Sequence, residues 1–308
     1  MDKLISVIST ALPVFLALAI GMLCRSKGFL TRDGVDTLKK VVVNLTLPFA
    51  LFGSFSTAKY TLSSLVVPIV IFVVCCIMLA LGFVWVKASK LKSRLAPFLA
   101  SGFEAGMLGI PLFALLFPGE SSSKFAMLVL GQEIFVFTLY KMLLTGKTSP
   151  KAIINDFITS PTLIAVVIGL VVGATGLYDV FRSWGINTIF ESVTSFISAP
   201  TGTIILFAVG YDLVIKEIPW KKTGGFIAMR LVIAAVMLGV LVLLNRTVLG
   251  GMMFEGALVM LFILPSPYVI PIFSDEPAER VQISSSLSAL TLITMILFAV
   301  CSVVVGLM

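Results

Sequence analysis

Apolar residues in this chain gather neither in the i, i+3, i+4 stripe of an amphipathic helix nor in the alternation of a half-buried strand. They form unbroken runs of about twenty residues or more, the length of helix that crosses a hydrocarbon core about 30 Å thick. Ten such runs are predicted as membrane spans: Ile5 to Cys24, Leu38 to Thr57, Ser63 to Val86, Ala96 to Phe117, Phe125 to Thr145, Phe157 to Leu177, Asn187 to Asp212, Thr223 to Leu244, Gly251 to Phe273 and Val281 to Leu307. The connections are short and leave little for a soluble domain. The pattern predicts an all-α polytopic membrane protein.

The runs repeat. "TALPVFLALAIG" (Thr10 to Gly21) in span 1 aligns with "ITSPTLIAVVIG" (Ile158 to Gly169) in span 6, matching Pro13 with Pro161 and Gly21 with Gly169. "LTLPFALF" in span 2 aligns with "ISAPTGTI" in span 7, and "GIPLF" (Gly109 to Phe113) in span 4 returns as "VIPIF" (Val269 to Phe273) in span 9. Three matches in the same order, each with its proline, predict two five-helix repeats, residues 1–150 and 151–308. An odd number of spans per copy inserts the second copy upside down, the arrangement of secondary transporters.

Composition agrees: of 308 residues 59% are hydrophobic and 12% charged, with a mean hydropathy of +1.14. The first run has no basic leader or small-residue cleavage site and is expected to stay as a span. The four cysteines fall in or at the ends of spans, so no disulfide framework is expected. The absence of histidine removes Ser-His catalysis and histidine-ligated zinc, and no enzyme activity or cofactor is expected. The net charge of +7 reflects topology rather than nucleic acid, because the basic residues are spread over short loops without aromatic interleaving. Sixteen of the 22 lysines and arginines flank the connections after spans 1, 3, 5, 7 and 9, five lie at the amino terminus or in the other connections, and Arg230 lies inside span 8. Basic loops stay cytoplasmic. A multi-pass protein of the cell membrane with both termini on the non-cytoplasmic side is expected.

Prolines mark the candidate site. A proline inside a helix removes one N–H and crowds the carbonyl four residues back, at about 3 kcal/mol. At membrane depth unwound backbone survives only where protein or a water-filled cavity covers it. Pro111 with Gly106 and Gly109 in span 4, and Pro265, Pro267 and Pro271 in span 9, therefore predict two broken helices at equivalent places, crossing near the midplane. Their half-helix ends, at Gly109, Ile110 and Pro111 and at Pro267, Ile270 and Pro271, offer N–H groups and positive dipole ends to an anion.

These segments resemble the auxin efflux carrier family, which includes bacterial organic-acid permeases, within the broader bile acid:sodium symporter-like superfamily. The resemblance rests on "ASGFEAGMLGIPLF", "LPSPYVIPIFSDE" followed by "SSSLSALTLITMILF", "SPTLIAVVIGL" and "PTGTIILFAVGYDL", and covers essentially the whole chain. It implies a ten-helix inverted repeat with spans 4 and 9 crossing, a scaffold domain of spans 1, 2, 6 and 7, and a transport domain of spans 3 to 5 and 8 to 10. Two positions depart from the family pattern: Glu104 stands where an asparagine is usual, and Ser160 where span 6 usually opens with Asn-Pro.

Ionisable groups inside spans cost at least a few kcal/mol and mark function. Glu104 and Glu133 each lie about eight residues into a span from opposite faces, which brings both near the midplane. With Gln132, Ser101, Thr138 and open break carbonyls they form a candidate Na⁺ site or proton relay; the alternative is a neutral carboxyl holding two helices together. Lys141, Asp212 and Lys216 lie at cytoplasmic helix ends, where lysines snorkel. Arg230 is expected near the interface or on a phospholipid head rather than on substrate. The leading functional expectation is a secondary transporter of a small organic anion, its carboxylate at the half-helix ends with Gln132, and Glu104 and Glu133 coupling Na⁺ or H⁺. Alternatives are a bile acid:sodium symporter-like carrier and a membrane sensor of the same fold. Lipid and a homodimer through the scaffold are the expected partners, and no nucleic acid is.

Overall fold

A computed structural model describes residues 2–58, 60, 65–89, 93–146, 158–213, 218–274 and 276–307. All regular structure among them is helical: α1 Asp2–Ser26, α2 Arg32–Ser56, α3 Val66–Ser89, α4 Ile110–Leu116, α5 Ser122–Thr145, α6 Pro161–Ala174, α7 Leu177–Ser183, α8 Asn187–Asp212, α9 Trp220–Thr247, α10 Glu255–Ile263 and α11 Pro277–Leu307. Eight described segments are long and apolar enough to cross a bilayer, or nine if α6 and α7, bent by 66°, are one span. The boundary expected between residues 150 and 151 lies outside the described residues, as do Lys147, Lys151 and Lys216.

The protein turns apolar side chains outward. Leu16, Ile20 and Leu23 on α1, Ile69 and Val84 on α3, and Val236 and Leu243 on α9 are exposed, which suits a lipid solvent. The interior belongs to the fourth segment: 72% of the Ala96–Leu116 window is buried, against 17% for α1.

Packing among the first, second, sixth and seventh spans exchanges under the sequence repeat. α1 lies on the second half of α8, and α6 lies on the second half of α2. The glycines that the repeat aligns stand at these two crossings. A Cβ on Gly21 would fall 2.1 Å from Phe207 O, and one on Gly169 would fall 2.9 Å from Phe55 Cβ. Only a residue without a side chain admits backbones this close.

One of the two breaks departs from helix where its prolines place it, and the other does not. Span 9 behaves as expected: α10 ends after nine residues, Leu264 to Val269 are non-helical with Pro265 and Pro267 inside, and a short 3₁₀ turn runs from Ile270 to Phe273. Pro271 sits in the first turn of that segment, where its missing N–H costs nothing. Span 4 corrects the expectation that Pro111 is its breaker. A 3₁₀ turn, Ala96–Ala100, leads into extended Ser101 and left-handed Gly102, and the chain re-enters helix at Ala105, six residues before Pro111. A wide π turn over Ala105–Gly109 precedes Pro111, with Gly109 N–H bonding Glu104 O at 3.1 Å. The chain passes from i+5 to i+4 bonding beside the residue that has no N–H to give.

At the ends of the bundle, charged contacts join connections of like parity. Asp212, after span 7, pairs with Arg32 at 2.6 Å and with Lys39, both after span 1. Glu279, after span 9, accepts from Ser93 Oγ at 2.7 Å and from Leu95 N–H at 3.1 Å, both after span 3. Lys124, after span 4, lies 5.1 Å from the ring centroid of Phe254, which follows span 8. Connections 1 and 7, 3 and 9, and 4 and 8 thus lie together in pairs of like parity. With the charge bias, this predicts that single cysteines at Lys27 and Thr247, in a chain lacking its native four, react with an impermeant maleimide from opposite sides, the former from the cytoplasm. Labelling of both from one side contradicts the arrangement.

Candidate functional site

Each break frees helix carbonyls, and three at each break are hydrogen-bonded. At the first break, Phe98 O accepts from Tyr140 OH at 2.9 Å, Leu99 O from Ser266 Oγ at 2.5 Å, and Ala100 O from Arg230 Nη1 at 3.1 Å. At the second, Ile263 O accepts from Thr294 Oγ1 at 2.6 Å, Leu264 O from Arg230 Nη2 at 3.0 Å, and Pro265 O from Glu104 N–H at 2.9 Å. The breaks are therefore bonded to one another. These six carbonyls are taken by Tyr140, Ser266, Arg230, Thr294 and the Glu104 N–H, so they do not serve as the open carbonyls expected for a cation.

Arg230 also corrects its expectation. It is 2% exposed, with its guanidinium bonded within the protein: it holds one carbonyl from each break and stands 4.7 Å from the centroid of the Phe103 ring. A planar fork suits two carbonyls on different strands of backbone, and the aromatic face offsets part of the cost of burying the charge. The signal for this role was an arginine inside an apolar run. Its partners, about 130 and 34 positions away, have no local signature.

Beside the breaks lies a cavity of about 270 Å³. Glu104, Gln132, Glu133 and Pro267 line it, joined by Ser160 and Thr162 from the start of α6 and an apolar wall that includes Phe103, Met107 and Phe137. All three π turns among the described residues open onto it: Val42–Thr46 through Val43, Ala105–Gly109 through Gly106 and Met107, and Val136–Tyr140 through Val136 and Phe137. Such wide turns free carbonyls and recur at functional sites. Here Val43 O takes the Thr162 hydroxyl at 2.9 Å and ties α6 to α2.

The polar wall carries two carboxyls, an amide and two hydroxyls. Glu104, 8% exposed, accepts the Tyr268 N–H on Oε2 at 2.9 Å, so its side chain too bridges the breaks. Gln132 donates from Nε2 to Glu133 Oε1 at 3.1 Å. Gln132 Oε1, on a side chain 2% exposed, has no hydrogen-bond partner. Flipping the amide would set its oxygen against Glu133, so this orientation goes with an ionised carboxylate there. Among the lining residues there is no lysine or arginine. Among the described residues no three His, Cys, Asp or Glu side chains gather as a metal site.

The other expected site residues lie apart from this cavity. Gly109 is a packing position, where a Cβ would meet Leu264 Cδ1 at 2.6 Å, and Pro111 packs on Gly202 of α8. Ile110 and Pro271 are half-buried and Ile270 is fully buried, and none of the three lines the cavity. Ser101 donates to Cys75 O of α3 at 2.6 Å and Thr138 to Ile134 O of its own helix at 2.5 Å, so both hydroxyls are taken. Thr162 was not expected in the site, since nothing in an apolar helix start announces it.

A polytopic helical protein with a polar cavity walled by two mutually bonded helix breaks belongs to the class of membrane transport proteins. Residues 6–155 match the family described as membrane transport protein, which assigns the first half of the chain to it and agrees with the resemblance seen in the sequence. An uncharacterized transporter of Methanothermobacter thermautotrophicus is 24% identical over 212 residues, covering 66% of this chain and 67% of that protein.

Proposed function

We propose that this protein is a secondary transporter that moves a small organic anion, a carboxylate, by alternating access, with the cavity beside the two breaks as its cargo site. The observation that carries the reading is the placement of Glu104, Gln132 and Glu133 in one open pocket where the breaks meet. Two packing relations support the accompanying architecture of inverted repeats, with spans 1, 2, 6 and 7 as scaffold: the reciprocal crossings of α1 on α8 and α6 on α2, and the parity of the end contacts. Among the described residues no basic side chain lines the cavity, so a carboxylate entering it is favoured by a positive partner that offsets the two glutamates. Na⁺ or H⁺ held at Glu104, Gln132 and Glu133 meets that need, and coupling follows from it.

The test is counterflow of labelled mono- and dicarboxylates in proteoliposomes, with and without sodium and a pH gradient. Uptake should require one of the two. In the double variant Glu104→Gln, Glu133→Gln the amides keep an acceptor oxygen and lose the charge, so that dependence should vanish while downhill exchange persists. Unchanged ion dependence makes the carboxyls structural. Stabilisation by a ligand without any counterflow makes the protein a sensor.

A further inference from the structure

We infer that the positive partner belongs to the cargo itself: a primary ammonium seated among Glu104, Gln132 and Glu133, which makes the cargo a small amino-acid-like solute with an apolar body. This rests on the transporter reading and moves the positive charge from a separate ion onto the solute.

The argument begins with Gln132. Its Oε1 is an acceptor, buried and unpartnered, and its Nε2 is taken by Glu133. A buried acceptor left without a donor costs about 1–3 kcal/mol, so the natural occupant brings a donor. The polar wall holds three acceptor groups, the two carboxyls and the amide, and an ammonium carries three N–H donors.

Size and the opposite wall point the same way. A cavity of about 270 Å³ is far larger than a single ion needs, and Val43, Leu47, Phe103, Met107, Val136 and Phe137 make most of its remaining surface apolar. A bare cation would leave that part without contacts, whereas a hydrocarbon body fills it. Ser160 and Thr162 face the same space at the amino-terminal end of α6, a helix of 14 residues whose dipole favours a negative group. Ammonium at the acceptor wall, carboxylate toward α6 and a hydrocarbon side chain between them describe an apolar α-amino acid.

Three probes with one hydrocarbon skeleton separate the possibilities: leucine, with both groups; isoamylamine, with only the amine; and 4-methylpentanoate, with only the carboxylate. Thermal unfolding of the purified full chain is followed with each, in sodium and in sodium-free buffer. Leucine and isoamylamine should raise the unfolding temperature without sodium, and 4-methylpentanoate alone should not. Glu133→Gln and Gln132→Leu should each weaken amine binding at least tenfold, read from the concentration needed for the same shift, and the isosteric Glu133→Gln guards against loss of fold. If 4-methylpentanoate with sodium stabilises the chain and the amines do not, the inference falls and the carrier of organic anions stands. If none of the three shifts the transition, or the variants leave the amine response unchanged, the inference is overturned. If the amines bind but labelled leucine does not cross in proteoliposomes, the inference holds and the transporter reading fails.

Discussion

Arg230→Met is expected to abolish transport and to lower stability by several kcal/mol. The substitution leaves Ala100 O and Leu264 O without donors inside the protein, at about 1–3 kcal/mol for each buried acceptor. It also removes the contact with the Phe103 ring, about 2 kcal/mol for a desolvated cation. Methionine abolishes the cost of burying a charge as well, so the net loss falls below the sum of these parts. Function should suffer more than stability, because the same guanidinium keeps the two breaks together beside the cavity. Arg230→Lys sharpens the test. An ammonium on a flexible stem reaches one carbonyl more readily than two and cannot reproduce the planar fork. The lysine variant should therefore fold, with a smaller fall in unfolding temperature, and still lose most of its flux. Unfolding in detergent measures one effect and counterflow the other. If the methionine variant matches the parent in both, the carbonyls have other donors and Arg230 does not organise the site.

Gly102→Ala should be strongly damaging. Gly102 has φ +69°, a left-handed conformation that costs a residue with a side chain roughly 1–2 kcal/mol. A Cβ there would also stand 2.9 Å from Pro267 Cγ, and forced overlap of this kind costs about 1–3 kcal/mol more. The two effects can be separated. Pro267→Ala in the same chain removes the ring that the new methyl meets and leaves the backbone strain, so the double variant should recover part of the loss and not all of it. Recovery to the parent's unfolding temperature would show that φ at residue 102 is not strained, and no recovery would show that the ring is not what the methyl strikes. Relief at the break should also widen the gap between Glu104 and Tyr268, whose N–H it now holds at 2.9 Å. Ligand-induced stabilisation should therefore stay weak even where the fold is partly rescued.

The membrane class was legible from local sequence because a bilayer imposes one rule on each segment by itself: α1, α3 and α9 are continuous apolar helices wherever their neighbours lie. The break in span 9 was legible for the same reason. Pro265 and Pro267 lack the N–H a helix needs, and that deficiency is written into the residues. Glu104 and Glu133 could be proposed as neighbours, since each sits a similar distance into its span and charges there have few places to go.

The break in span 4 was not legible in the same way. Pro111 drew attention as the strongest local breaker, yet the adjoining π turn accommodates it, and the chain instead leaves helix at Ser101 and Gly102. What holds that departure comes from elsewhere: Ser266 on Leu99 O, Arg230 on Ala100 O, and the Glu104 N–H on Pro265 O. By itself the sequence determined which segments enter the membrane, which of them carry a proline defect and which buried charges needed explanation, because hydrophobicity and the missing N–H of proline act within one segment. Only the tertiary structure decided where the fourth span opens, which carbonyls are closed and that Arg230 joins the two breaks, because a carbonyl freed from its own helix is satisfied by whatever donor the fold brings within about 3 Å.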